Sequence, residues 1–236
     1  MTRISDNLQA VRSAIASACR SAGRNPESLR LLAVSKRFGV TDILEAVAAG
    51  QRDFGENYVQ EALGKIAQLP REPLRWHFIG PMQSNKTRDI AEHFDWVQSV
   101  DRLKIAQRLS QQRPPHLPAL NVCIQVNISG ESSKSGCRPE QALELCHAVA
   151  SLPQLRLRGL MAIPAPAATP VGNQAAFRGL HALAGAIRQA DLRGNVRFDT
   201  LSMGMSDDYA SAIAAGSTMV RVGTAIFGAR NSAVMP

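Results

Sequence analysis

The sequence predicts a single (β/α)8 TIM-type barrel with an extra N-terminal helix. Three observations carry that prediction. After Pro26, short apolar or β-branched runs alternate with longer helical patterns, the arrangement of successive βα units. Eight such runs are present, the number that closes a parallel barrel. The rival architecture, an open doubly wound sheet, usually carries a GxGxxG or Walker A loop after its first strand, and this chain has neither.

The elements follow in order. Residues 1–24 are rich in Arg and Ser and poor in acid, a composition shared with organellar transit peptides. Ile4, Leu8, Val11 and Ile15 nevertheless recur at helical spacing, which favours an amphipathic helix packed on the barrel. The predicted strands are 31–35, 52–55, 75–79, 96–99, 120–127, 155–161, 198–203 and 219–222. Thr41-Asp42 opens the helix after the first strand, Ile43, Leu44 and Val47 give its apolar positions, and Gly50 ends it. A Pro- and Ala-rich loop follows the sixth strand at 164–170. Beyond it, Phe177, Leu180, Leu183 and Ile187 share one helical face. These stripes are packing. With 236 residues, one core accommodates the whole chain, so 1–236 is read as one domain.

Composition narrows the function. The chain is 45% hydrophobic and 19% charged, which excludes a disordered protein. No apolar run is long enough to cross a bilayer, so no membrane partner is expected. The net charge of +8 comes from scattered arginines without a stripe or tail, and nucleic acid is not an expected partner. Cys19, Cys123, Cys137 and Cys146 form no CxxC pair and have no His at zinc spacing, so no metal is expected. Reduced thiols suit a cytoplasmic location.

Barrel active sites assemble from the C-terminal ends of strands and the loops that follow them. There the first strand ends in Val34-Ser35-Lys36. Lys36 is one of only five lysines in the chain. A half-buried ammonium loses hydration, which enlarges the neutral, nucleophilic share needed to form an imine with an aldehyde. From position alone, a strand-end lysine reaching bulk water is the plainer reading. The seventh and eighth strand ends change the balance, because barrels often bind phosphate there. Ser202, Gly204, Ser206, Gly223 and Thr224 offer small side chains, hydroxyls and approachable N–H groups. Ordinary turn chemistry would also select such residues. Asn57, His77 and Met161 lie at further strand ends that line the same mouth. For His77, a hydrogen-bonded core histidine is as good a reading as a ligand contact.

The segments LLAVSK, DFGENYVQE, WHFIGPMQSNK, SKSG at 133–136, LSMGMSDD and VRVGTAIFG together resemble the YggS/PROSC family of homeostasis proteins that bind pyridoxal 5′-phosphate (PLP). The match runs from about residue 5 to residue 230 with the motifs in order. The resemblance implies a barrel like the N-terminal domain of alanine racemase, with Lys36 as the imine-forming lysine. It further implies that 202–206 and Gly223-Thr224 cradle the phosphate. Arg221 is then the group facing the pyridine nitrogen, with the phosphate as its alternative partner. A cationic Arg donates to that nitrogen and leaves the ring a poorer electron sink.

Related racemases use a second domain and a tyrosine placed across from the lysine. Tyr58 and Tyr209 both begin predicted helices, so neither has an obvious position opposite Lys36. The expectation is therefore a PLP carrier serving homeostasis and supply, with PLP-dependent enzymes as acceptors. A slow PLP enzyme such as an amino-acid racemase is the alternative. A monomer is expected. Lys134 reads as a solvated loop lysine or as a second PLP contact, and Lys86 is left outside the site.

Overall fold

Eight parallel strands pair in sequence order and the eighth returns to the first, so the sheet closes without an edge. The computed structural model describes residues 2–69, 73–131, 135–165, 173–190, 192 and 196–228. The strands are β1 Arg30–Val34, β2 Asp53–Glu56, β3 Arg75–Phe78, β4 Trp96–Val100, β5 Leu120–Gln125, β6 Leu155–Met161, β7 Val196–Ser202 and β8 Met219–Val222. The (β/α)8 prediction is met. The fifth strand stops earlier than the predicted 120–127 because its partner β6 ends with the pair Gln125 and Met161. Beyond it, Val126 bridges only Cys137.

The helices are α1 Arg3–Ser21, α2 Val40–Ala48, α3 Val59–Ile66, α4 Thr87–His93, α5 Leu103–Gln112, α6 Ala142–Ala150, α7 Gln174–Gln189, α8 Tyr209–Ala214 and α9 Thr224–Phe227. Side chains alternate across each strand. Ala33, Phe54, Val97, Val122 and Val220 face the layer shared with the helices. Leu32, Val34, Ile79 and Met219 meet inside the barrel, as do Trp96, Cys123 and Met161. Gly159 marks an irregular register in β6. Its φ is +148°, and a Cβ there would lie 1.8 Å from the Thr200 carbonyl oxygen, so only glycine fits.

Helix α1 buries Ile4, Leu8, Val11, Ile15 and Cys19, and packs against α2, α8 and α9. It therefore covers the seam where β8 meets β1. Hydrogen bonds pin it there, from Asn7 Nδ2 to Ile226 O at 2.9 Å and from Arg12 Nη1 to Ala49 O at 2.7 Å. Each large apolar residue of the stripe contributes about 1.5–3 kcal/mol relative to exposure. All four cysteines are buried and unpaired. No described helix is long and apolar enough to cross a membrane.

Candidate functional site at the C-terminal mouth

Strand alternation carries the inward series Leu32 and Val34 on to Lys36, which stands half-buried at the rim. The chain then reverses. Phe38 N–H donates to Ser35 O at 3.1 Å, and Arg37 takes a left-handed φ of +67°. The peptide groups on both sides of Lys36 are held from α3. Lys65 Nζ donates to the Ser35 carbonyl at 2.8 Å, and the Glu61 carboxylate accepts from the Arg37 N–H. These anchors fix the backbone at the root of the Lys36 side chain.

The anchors belong to one ionic cluster between the sheet and α3. Lys65 Nζ lies 2.6 Å from Glu56 Oε1 and 2.6 Å from Glu61 Oε1, and Ser35 Oγ donates to Glu56 Oε1 at 2.6 Å. Glu61 and Lys65 are one helical turn apart, the spacing at which such side chains meet. Burial pushes the Glu56 carboxyl up, and Lys65 and Ser35 pull it back only in part. Its Oε2 is buried with no hydrogen-bond partner among the described residues.

Inside the barrel, a second polar chain crosses the apolar core. His77 Nε2 lies 3.1 Å from Asp53 Oδ1, and its Nδ1 lies 3.0 Å from Gln98 Nε2. Ser202 Oγ donates to Gln98 Oε1 at 2.6 Å and accepts from Arg221 Nη1 at 2.7 Å. Arg221 Nη2 ends the chain on Ala162 O at 2.9 Å. The Gln98 amide donates to His77 Nδ1, so the imidazole carries its proton on Nε2 and donates to Asp53. Every link is satisfied, which a buried polar chain requires.

Charge follows from this geometry. Burial alone would raise Asp53, but hydrogen bonds from Arg75 and His77 outweigh it and hold the carboxyl well below its usual range. Burial pushes Arg221 down to about 10 while Asp208 pulls the other way, so the guanidinium stays cationic at neutral pH. Burial lowers His77 from its ordinary 6.5 against the pull of Asp53. Its contribution to stability is thus present above pH 6.5 and lost as the pH falls, since the unfolded ring then takes up a proton that the folded ring refuses. NMR of the ring carbons is expected to show His77 still neutral as the pH drops through 6.5. A midpoint at or above 6.5 would contradict the network.

The remaining predicted residues divide between rim and core. Asn57 is half-buried just after β2, and its Oδ1 is buried with no hydrogen-bond partner among the described residues. A Cβ on Gly80 would lie 2.1 Å from Asn57 O, so the β3 loop passes tightly against it. Arg221 N–H donates to Gly204 O at 3.0 Å, tying the loop after β7 to β8. Gly204 has φ +96°, and a Cβ would meet Ala212 Cβ at 2.6 Å. Gly223 runs close to the Val34 carbonyl, which brings the β8 loop beside the strand that carries Lys36. Ser206 is half-buried and Thr224 exposed on these loops. Met161 is fully buried against Trp96 and Cys123, and His77 stacks on Trp96 with centroids 5.2 Å apart. With both nitrogens engaged, His77 sits as a hydrogen-bonded core histidine, the first of its two sequence readings. Tyr58, half exposed, caps α3 beside Asn57, and Lys86 lines a cavity of about 420 Å³ with both. Lys134 lies outside the described residues.

Sequence reasoning missed Glu56, Lys65, Asp53, Gln98 and Asp208. Signals for two of them are visible in retrospect. Gln98 interrupts the otherwise apolar start of Trp96-Val97, and Lys65 follows Glu61 at helical spacing. Asp53 and Asp208 have no local mark that separates them from surface acids.

Residues 6–231 match the family described as alanine racemase, N-terminal domain. The pyridoxal phosphate homeostasis protein of Pseudomonas aeruginosa is 60% identical over 231 residues, covering 98% of this chain and 97% of that protein. The chain belongs to the pyridoxal phosphate homeostasis family. The Escherichia coli K12 protein of the same description is 55% identical over 235 residues, 98% of each chain. Among solved structures, PipY of Synechococcus elongatus PCC7942 with PLP bound gives a TM-score of 0.82 at 37% identity, covering 95% of this chain and 100% of PipY. Family membership read from the six sequence segments is thereby established, and the fold it implied is the one observed.

Proposed function

We propose that this chain binds PLP at the C-terminal mouth, holds it as a reversible imine on Lys36, and serves intracellular PLP homeostasis and supply. The observation that carries the reading is the clamp on Lys36: both flanking peptide groups are fixed from α3 while the side chain stands on the inward side of the rim. The residues around it fit the cofactor. Asn57 Oδ1 is a buried acceptor that has no donor among the described residues. The Gly204 and Gly223 loops come together through β8, where Ser206 and Thr224 supply hydroxyls for the phosphate. PLP contributes an aldehyde that a lysine amine can capture and release.

Each protein group has a separate task in this reading. Lys36 Nζ forms and breaks the bond to the cofactor. The two small-residue loops bind the phosphate. Arg221, already donating to Ser202 and Ala162, keeps its positive charge at the edge of the pocket and donates rather than accepts, which disfavours carbanion chemistry on the ring. The relatives named for PLP homeostasis and the PLP-bound PipY structure support the assignment. Borohydride reduction of the PLP-treated protein, followed by peptide mass mapping, is expected to place a reduced adduct on Lys36. An adduct confined to other lysines would overturn the assignment.

A further inference from the structure

The opposite end of the barrel is also open. A cavity of about 800 Å³ lies at the N-terminal ends of the strands, with arginines from β1, β3 and β6 and from the segments packed beside them. That volume is in the range of small-molecule sites, about 300–1,000 Å³. It does not communicate with the C-terminal mouth by an open channel, because His77, Gln98 and Met219 fill the interior between them.

Four of its arginines are already satisfied. Arg75 grips Asp53 with two hydrogen bonds of 2.7 Å. Arg158 grips Asp199 at 2.9 and 2.8 Å. Arg12 donates to the Ala49 carbonyl at 2.7 Å, and Arg52 to the Val47 carbonyl at 2.7 Å. Arg30 differs. It is half-buried, and among the described residues its guanidinium has no carboxylate or carbonyl acceptor. It lies instead over the Trp96 ring at 5.3 Å, where the Arg158 guanidinium also sits at 4.5 Å. Of the three carboxylates lining the cavity, Asp53 is engaged by Arg75 and His77 and Asp199 by Arg158, Arg197 and Thr200, while Glu27 stands exposed on the segment before β1.

We propose that this N-terminal mouth is an anion-binding site in which Arg30 takes a phosphate or carboxylate group of a small metabolite. A guanidinium with five donors in a planar fork matches two oxyanion oxygens at once. The paired arginines and carboxylates around it hold the walls in place, and the surplus of arginine gives the cavity its sign. Burial also lowers the Arg30 pKa, with Arg75 and Arg158 adding to the effect and Asp53 opposing it, the condition that a bound anion would relieve. Because Arg30 begins β1 and Lys36 follows its far end, this inference is independent of PLP binding.

The test is a titration of the full chain with inorganic phosphate, and separately with succinate, at constant ionic strength balanced by chloride. It is run with and without PLP by phosphorus NMR for phosphate and calorimetry for succinate. The expected result is saturable binding of at least one of the two anions, with a dissociation constant at or below about 1 mM. Arg30→Met is expected to weaken it about 10-fold or more, and Arg52→Met, which removes the same charge from the same cavity, by less than about 3-fold. Saturation by phosphate alone assigns a phosphoester, and saturation by succinate alone a carboxylate. Titration curves indistinguishable from chloride, or unchanged affinity in a folded Arg30→Met, overturn the site. Should that variant fail to fold, tungstate soaked into wild-type crystals decides: density at Arg30 supports the site and its absence there refutes it.

Discussion

Lys36→Ala is expected to abolish covalent capture of PLP and raise its dissociation constant by about 100-fold or more, equivalent to about 2.7 kcal/mol. No other described lysine can stand in. Lys65 is buried on the outer side of the sheet with three acceptors around its ammonium, Lys86 lies beyond Asn57 on the β3 loop, and Lys104 is exposed on α5. The phosphate loops and Arg221 remain in the variant, so weak, non-covalent binding is expected to persist. Lys36→Arg gives the same loss, because a guanidinium stays protonated and cannot add to an aldehyde. Absorbance of the PLP-loaded proteins and equilibrium dialysis measure both effects. A lysine-dependent band that survives in Lys36→Ala would remove Lys36 from the mechanism and leave a phosphate-binding barrel.

Lys65→Met is expected to destabilise the fold by about 3–5 kcal/mol, the cost of leaving a buried charge without its partner. Glu56 is fully buried, and Lys65 is its cationic partner at 2.6 Å. The variant also leaves the Ser35 carbonyl with the Phe38 N–H alone and lets Glu61 swing away from Arg37, so the clamp on Lys36 loosens. The pH dependence follows from the direction of the Glu56 shift. Its folded pKa is raised by burial above the ordinary 4.5, so the stability it contributes is complete below 4.5 and is lost as the pH rises through the folded value. Removing Lys65 takes away the attraction that holds that value down and extends the loss to higher pH. Urea midpoints are therefore expected to show a larger deficit at pH 7.5 than at pH 5, and Glu56→Gln in the Lys65→Met background is expected to recover part of it. A deficit under 1 kcal/mol that is flat with pH would show the cluster to be no more than a surface pair.

Much of this molecule is legible in one dimension. Apolar runs announce eight strands, and Lys36 directly follows the first of them at the mouth. The stripe Ile4, Leu8, Val11, Ile15 likewise foretells a packed N-terminal helix, because four residues at helical spacing leave one face to bury. The pair Gly204 and Gly223 can be recognised as loop glycines after adjacent strands, since βα units laid down in order make β7 and β8 neighbours.

Local pattern is silent where partners come from strands distant in the chain. Asp53, His77, Gln98, Ser202 and Arg221 each lie on a different strand, and only barrel closure places them within hydrogen-bonding distance. The same holds for Ser35 and Lys65, and for the crowding of Arg30 and Arg158 on Trp96. Sequence by itself determined the order of the strands and helices and the lysine at the end of the first strand, because those depend on local pattern in a single backbone. Tertiary structure alone decided which buried charges and polar groups are paired, because in a low-dielectric interior that outcome depends on distances of a few ångströms between side chains that sequence separation does not encode.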